Sequence, residues 1–292
     1  MGTVGTGKFT YRCLNDWPKL PPGESFGPVS AVATDSQDQV YVFQRKSPPV
    51  RVFDQKGNLL SSWGVGAIAD PHGFYISEDI VYLTDQKDEV VVKFTLDGRP
   101  LQVLGKRGVH SDTGCERPGD LVPRASGPFN HPTEMVPAPS GDIYVSDGYR
   151  NSRIHRFSAE GHLLDSWGEP GKVDPNQFHL PHSLLVAANG QVYVCDRENS
   201  RVQVFSANGE YIEMWTDLQR PQDIALDANG FFYICEAEVD NSPPRVSVLD
   251  SGGNVLARWS SRSAHGLWID ARGDIYLALV EDMNVDKYVR DV

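Results

Sequence analysis

The chain has 292 residues, 40% hydrophobic and 23% charged, which describes a folded globular protein rather than a disordered one. A formal net charge of −12 argues against nucleic acid or an anionic membrane as the main partner, because both ask for a cationic surface. No run of about 18 apolar residues, the length that marks a membrane span, occurs anywhere.

The N-terminus, MGTVGTGKFTYRC, lacks the charged and apolar regions of a signal peptide, so a cytoplasmic location is expected. Gly2 and Thr6 fit a myristoylation pattern formally, but so short a motif in a Gly/Thr-rich start is read as chance. FTYRCL (9–14) has strand character and stands alone ahead of a series of repeats. Their central strands read QVYVFQ (39–44), IVYLTD (80–85), DIYVSD (142–147), QVYVCD (191–196), FFYICE (231–236) and DIYLAL (274–279). A third strand follows in most copies, then a Gly-containing turn and a fourth strand, several of which finish in tryptophan: Trp63, Trp167, Trp215 and Trp259.

The clearest copy is FHLPHSLLVAANGQVYVCDRENSRVQVF (178–205), with a Pro-His opening, two strands about an Asn-Gly turn, a polar turn holding Asp196 and Arg197, and a third strand. Four-stranded units at a period of about 40 to 50 residues are the signature of a β-propeller. The expectation is therefore all-β: one domain over 1–292, a six-bladed β-propeller. The sixth copy ends one strand short at DKYVRDV, so the N-terminal strand is expected to complete that blade and close the ring.

One segment, 106–128, breaks the period between the second and third copies and is read as an inserted loop, either a lid or a surface excursion. Its His110, Asp112, Cys115 and Glu116 are weighed as a metal cluster and set aside. Cys13, Cys115, Cys195 and Cys235 form no CxxC pair, and Cys195 and Cys235, at one repeat position, are expected to be buried thiols.

The repeat register carries the functional argument. Fourteen positions before the end of the central strand stand Ser30, Thr133, His182, Gln222 and His265; in copy two, whose turn is one residue shorter, His72 takes that place. Alternate blades thus carry histidine, and in a six-bladed ring three such side chains converge. Three neutral imidazoles with an open fourth position suit zinc, though other divalent ions accept the same donors. His131, His155 and His162 fall outside this register and are expected on the surface or in loops.

The motifs VSDGYRNSRIHRFSAEGHLLDSWGEPG (145–171), FHLPHSLLV with VCDRENSRVQVF, DPHGFYI (70–76), FQRK (43–46) and SAHGLWI (263–269) resemble the lyase of peptidylglycine α-amidation, a propeller of NHL-like repeats. The likeness spans nearly the whole chain. It implies zinc on His72, His182 and His265, a catalytic Tyr149, and two functional arginines, Arg45 and Arg197. It implies cleavage of a peptidyl-α-hydroxyglycine to an amide and glyoxylate.

Those residues suit the reaction. A metal stabilises a developing alkoxide, a tyrosine beside a metal and cations serves as base, and arginines hold a substrate carboxylate through paired hydrogen bonds. Ser263, Ala264 and Gly266 replace the family's Met, Pro and Asp around the last histidine, so a structural calcium is not expected; Arg150 replaces a disulfide cysteine. The 292 residues include no copper monooxygenase domain, which brings related small carbinolamides into consideration as substrates. A hydrolase or lyase of different substrate on the same scaffold, and a non-enzymatic NHL-repeat binding propeller, are the alternatives. A calcium lactonase would need oxygen donors where the histidines stand.

Overall fold

The structure, a computed structural model, describes residues 2–14 and 17–291. It is an all-β, six-bladed β-propeller. Five blades are four-stranded antiparallel sheets taken in chain order: Val29–Thr34 to Leu59–Trp63, Pro71–Ser77 to Pro100–Gly105, Pro132–Pro137 to Leu163–Trp167, Pro181–Val186 to Tyr211–Trp215, and Pro221–Leu226 to Val255–Ser260. The sixth contains Gly266–Ile269, Ile275–Leu279 and Asn284–Arg290. The N-terminal strand Phe9–Leu14 then pairs with Asn284–Arg290, placing Tyr11 opposite Arg290 and Cys13 opposite Tyr288.

Residues 68–221 form one compact unit holding blades two to four, and residues 1–67 with 222–292 form the other, holding blades one, five and six. In both, burial falls from the inside of a blade to its outside. The second strands, Val40–Gln44, Ile143–Asp147, Val192–Asp196, Phe232–Glu236 and Ile275–Leu279, are buried at every residue. Such β-branched and aromatic runs suit a strand covered on both faces. The fourth strands present Leu60, Leu101, Leu163, Leu164 and Tyr211 to solvent, and their terminal Trp167, Trp215 and Trp259 turn inward.

Within the 68–221 unit, Met135, Val145 and Phe157 pack with Val91 and Leu104 between blades two and three, and Tyr144, Trp167, Leu184 and Phe205 fill the space between three and four. In the other unit, Tyr233, Val246 and Trp259 of blade five meet Phe9, Tyr11 and Leu277 of blade six. Trp17, Val42 and Phe53 meet Tyr276 and Val285 on the opposite side of that blade.

The sequence did not signal two features. Val4–Thr6 folds back on Phe9–Leu14, giving blade six a fifth strand, and a parallel pair joins Glu169–Pro170 to Gln177–Phe178. Another expectation is corrected: His155 is neither a loop nor a surface residue. It lies in the strand Arg153–Phe157 with no exposed area, 2.8 Å from Ser166 Oγ and 3.3 Å from Asp147 Oδ2. Its polar partners let a histidine occupy a position alternation assigns to the core. All four cysteines are free, Cys195 and Cys235 being buried. Among the described residues no helix is long and apolar enough to cross a membrane.

Tyr11 tests the role of the terminal strand. It is fully buried, 2.8 Å by its hydroxyl from that of Tyr233 and stacked on Trp259 at 5.4 Å. Tyr11→Ala should cost about 3–5 kcal/mol in urea unfolding, whereas Leu60→Ala on an outer strand should stay within about 0.5 kcal/mol. Equal effects would show that the terminal strand contributes nothing to the core.

Candidate active site

The histidines at the repeated position stand where each blade begins. His72 lies in Pro71–Ser77 and His182 in Pro181–Val186, both buried, and His265 immediately precedes Gly266–Ile269. His72 Nδ1 is 2.7 Å from the carbonyl of Thr133, the residue that occupies the same register on blade three. In the other unit His265 Nδ1 is 2.8 Å from the carbonyl of Ser30, its counterpart on blade one. A ring whose Nδ1–H is donated to a carbonyl presents Nε2 as the ligating nitrogen, the support that metal-binding histidines commonly have.

A local sequence reason accompanies this contact. His72 and His265 are each followed by glycine; a Cβ on Gly73 would sit 2.5 Å from the Thr133 carbonyl, and one on Gly266 2.8 Å from that of Ser30. The absence of a side chain admits the carbonyl that orients the ring. This gives Gly266 a physical role.

Within the 68–221 unit, His72 and His182 stack edge to face at 4.9 Å between ring centroids, with donor nitrogens within 4.8 Å of each other. Tyr149 completes the group: its ring is 5.2 Å from that of His72, and its hydroxyl is 3.3 Å from His182 Nε2. It follows the second strand of blade three by way of Gly148, where a Cβ would collide with the carbonyl of Pro181. Arg197 opens a short 3-10 turn after Asp196, donates from Nη1 to the Tyr149 hydroxyl at 3.1 Å and lies 5.2 Å from the ring centre, a cation–π distance. Its other nitrogens, Nε and Nη2, both reach Glu198 Oε1 at 2.9 Å.

Arg45 and His265 belong to the other unit. Arg45 follows the blade-one strand Val40–Gln44 just as Arg197 follows Val192–Asp196, is half-buried, and donates its N–H to the Pro28 carbonyl at 2.8 Å. The two arginines therefore share a repeat position.

The inserted segment 106–128 contains no strand but is tied to the chain around Tyr149. Gly119 N–H donates to Tyr149 O at 2.7 Å, Thr113 Oγ1 to Arg150 O at 2.6 Å, and Arg150 Nη2 to Cys115 O at 2.7 Å. Asn151 exchanges hydrogen bonds with the backbone of Ser126, both 3.2 Å. The considered cluster of His110, Asp112, Cys115 and Glu116 does not form: among the described residues the group with metal-ligand spacing is the histidines, and Asp112 pairs with Arg124 at 2.5 Å.

On the other side, Tyr149 N–H points to the carbonyl of His131 at 3.4 Å, and His131 N–H donates to Glu89 Oε2 at 2.6 Å. Burial pushes the Glu89 carboxyl up to about 8, and burial together with Arg150 lowers His131, so the two side chains face each other uncharged near neutrality. Sequence reasoning missed Glu89, Thr113 and Arg220 because none stands in the repeated histidine register; Glu198 was legible only as a local acid able to pair with Arg197, which it does.

Two buried histidines with a tyrosine and a cation beside them thus stand at the starts of blades in a six-bladed propeller. The family model "NHL repeat" matches residues 178–205. NHL repeat-containing protein 3 of Homo sapiens is 30% identical over 310 residues, covering 97% of this chain and 85% of that protein. Peptidyl-alpha-hydroxyglycine alpha-amidating lyase 1 of Drosophila melanogaster is 30% identical over 240 residues, 69% of this chain and 42% of its own length. A solved streptogramin B lyase shares the fold with a TM-score of 0.66 at 13% identity, covering 96% of this chain and 98% of that one. The chain belongs to the NHL-repeat propeller family that includes NHL repeat-containing protein 3 and the α-amidating lyases.

The Glu89 carboxyl gives a pH signature. Its folded value of about 8 lies above its ordinary 4.5, so the folded form holds a proton that the unfolded chain releases. Its contribution is fully present below 4.5 and is lost as pH rises through 8. Unfolding titrations should show stability falling over that window, with a shallower fall in Glu89→Gln; identical profiles would contradict the assignment.

Proposed function

We propose that the protein is a metal-dependent lyase that cleaves the C–N bond of an α-hydroxyglycine-type carbinolamide, or a closely related small molecule bearing a carboxylate, to an amide and glyoxylate. The observation that carries this reading is the contact of Tyr149 with His182 on one side and Arg197 on the other. His72, His182 and His265 are the proposed ligands of a zinc or similar divalent ion. The fit is supported by the Nδ1 contacts of His72 and His265 and by the neutral nitrogen donor set. When bound, such an ion supplies Lewis-acid stabilisation of negative charge on the substrate hydroxyl oxygen.

The chain's own groups account for the proton. Tyr149, acting as base, takes the proton of the carbinol hydroxyl; the C–N bond breaks as the C=O of glyoxylate forms, and the departing amide nitrogen takes that proton back from Tyr149. No water is consumed. Arg197 donates to the phenolic oxygen and holds it in place. Arg45, at the corresponding place in blade one, is proposed to contact the substrate carboxylate. The second reading is a non-enzymatic NHL-repeat propeller that binds a ligand; the likeness to NHL repeat-containing protein 3, whose name states the repeat and no activity, is compatible with it.

Tyr149→Phe should keep fold and metal content while losing about 10² to 10⁴ of kcat on α-hydroxyhippurate, the usual contribution of a placed base. Alanine at His72, His182 or His265 should each abolish or greatly reduce metal content, read by elemental analysis. Near-normal turnover by Tyr149→Phe would remove the tyrosine from the chemistry, and full metal content in all three histidine variants would remove the metal site.

A further inference from the structure

Glu198 lies between two guanidinium groups. Arg197 Nε and Nη2 reach its Oε1 at 2.9 Å, and Arg220 Nη2 reaches the same oxygen at 2.8 Å. Although burial acts to raise it, Arg197 and Arg220 hold the Glu198 carboxyl below its ordinary range, so it is ionised. One anion between two cations leaves a positive charge in excess.

That charge falls on Arg220. The Arg197 side chain is 11% exposed, and each of its three nitrogens already donates, two to Glu198 and one to the Tyr149 hydroxyl. To grip a substrate carboxylate with a paired edge, Arg197 would have to release Glu198. The Arg220 side chain is 36% exposed, and its Nε is buried without a hydrogen-bond acceptor.

The backbone presents Arg220 at a repeated turn. It precedes Pro221 with φ 36°, as Leu180 precedes Pro181 with φ 65° and His131 precedes Pro132 with φ 59°. These equivalent positions hold a buried leucine, a histidine facing Glu89 and, in Arg220, a partly exposed cation, so the turn itself does not call for arginine.

We infer that Arg220 is a specificity residue that contacts the carboxylate of the substrate, while Glu198 is a positioning residue that keeps Arg197 on Tyr149. This rests on the lyase reading for the identity of the substrate, but the carboxylate contact is measurable without turnover. The probes are hippurate, an unreactive carboxylate, and hippuramide, its neutral counterpart, with binding measured by calorimetry on metal-loaded protein.

Arg220→Gln should weaken hippurate binding about 10- to 100-fold, the range for a charge-assisted hydrogen bond, and leave hippuramide binding nearly as it was. KM for α-hydroxyhippurate should rise more than kcat falls. Arg220→Lys should reduce the preference for hippurate by a smaller factor, because the charge remains and the fork is lost. Glu198→Gln should lower kcat while retaining most hippurate binding.

Equal weakening of both probes in Arg220→Gln, or an unchanged preference in Arg220→Lys should the glutamine variant fail to fold, would overturn the proposal. A wild-type protein that binds neither probe would overturn it as well. Arg220-dependent hippurate binding with no glyoxylate release would uphold the carboxylate site and reject the lyase.

Discussion

A four-stranded blade buries its faces only against neighbouring blades, and the rest of the structure follows from that constraint. It demands second strands buried along their whole length, as Val192–Asp196 and Ile275–Leu279 are, and permits polar outer strands. It also fixes register. A one-residue slip in a strand would exchange its two faces, so equivalent residues of different copies remain equivalent in space. The same register that packs Leu184 and Val194 brings His182 to the start of its blade.

The proposed site uses that register economically because it relies on backbone. His72 and His265 are oriented by the carbonyls of Thr133 and Ser30, so the intervening blades need no particular side chain at the histidine position, only a carbonyl and a glycine on the facing strand to admit it. The Thr133 hydroxyl meanwhile donates toward the Pro181 carbonyl at 2.9 Å, linking blade three to the strand that carries His182. Tyr149 is fixed from three directions: the insertion holds its carbonyl, the His131 carbonyl meets its N–H, and Arg197 meets its hydroxyl. Loops become precise when they are tied down at so many points.

Periodicity made the blades legible, and with them the strand 9–14, the tryptophans near the ends of the outer strands and the alternating histidines. The residues that escaped detection are those whose role depends on a partner distant in sequence or on no period at all. Val4–Thr6 is a three-residue strand in a Gly/Thr-rich start, too short to show alternation. His155 looked polar and therefore exposed; only the structure places Asp147 and Ser166 around it. The insertion showed as a break in period, but its hydrogen bonds to residues 149–151 run largely through backbone atoms, which leave no mark on composition. Glu198 was visible only as a local acid; its place between Arg197 and Arg220 depends on the fold.

The proposed activity is best tested by identifying the products that metal-loaded protein forms from α-hydroxyhippurate, followed by proton NMR. Cleavage of the N–CH(OH) bond yields benzamide and glyoxylate in equal amounts, the result expected here. Hydrolysis of the acyl bond on the same scaffold would yield benzoate instead, and a propeller that only binds would leave the substrate to its uncatalysed decay; either outcome would contradict the lyase.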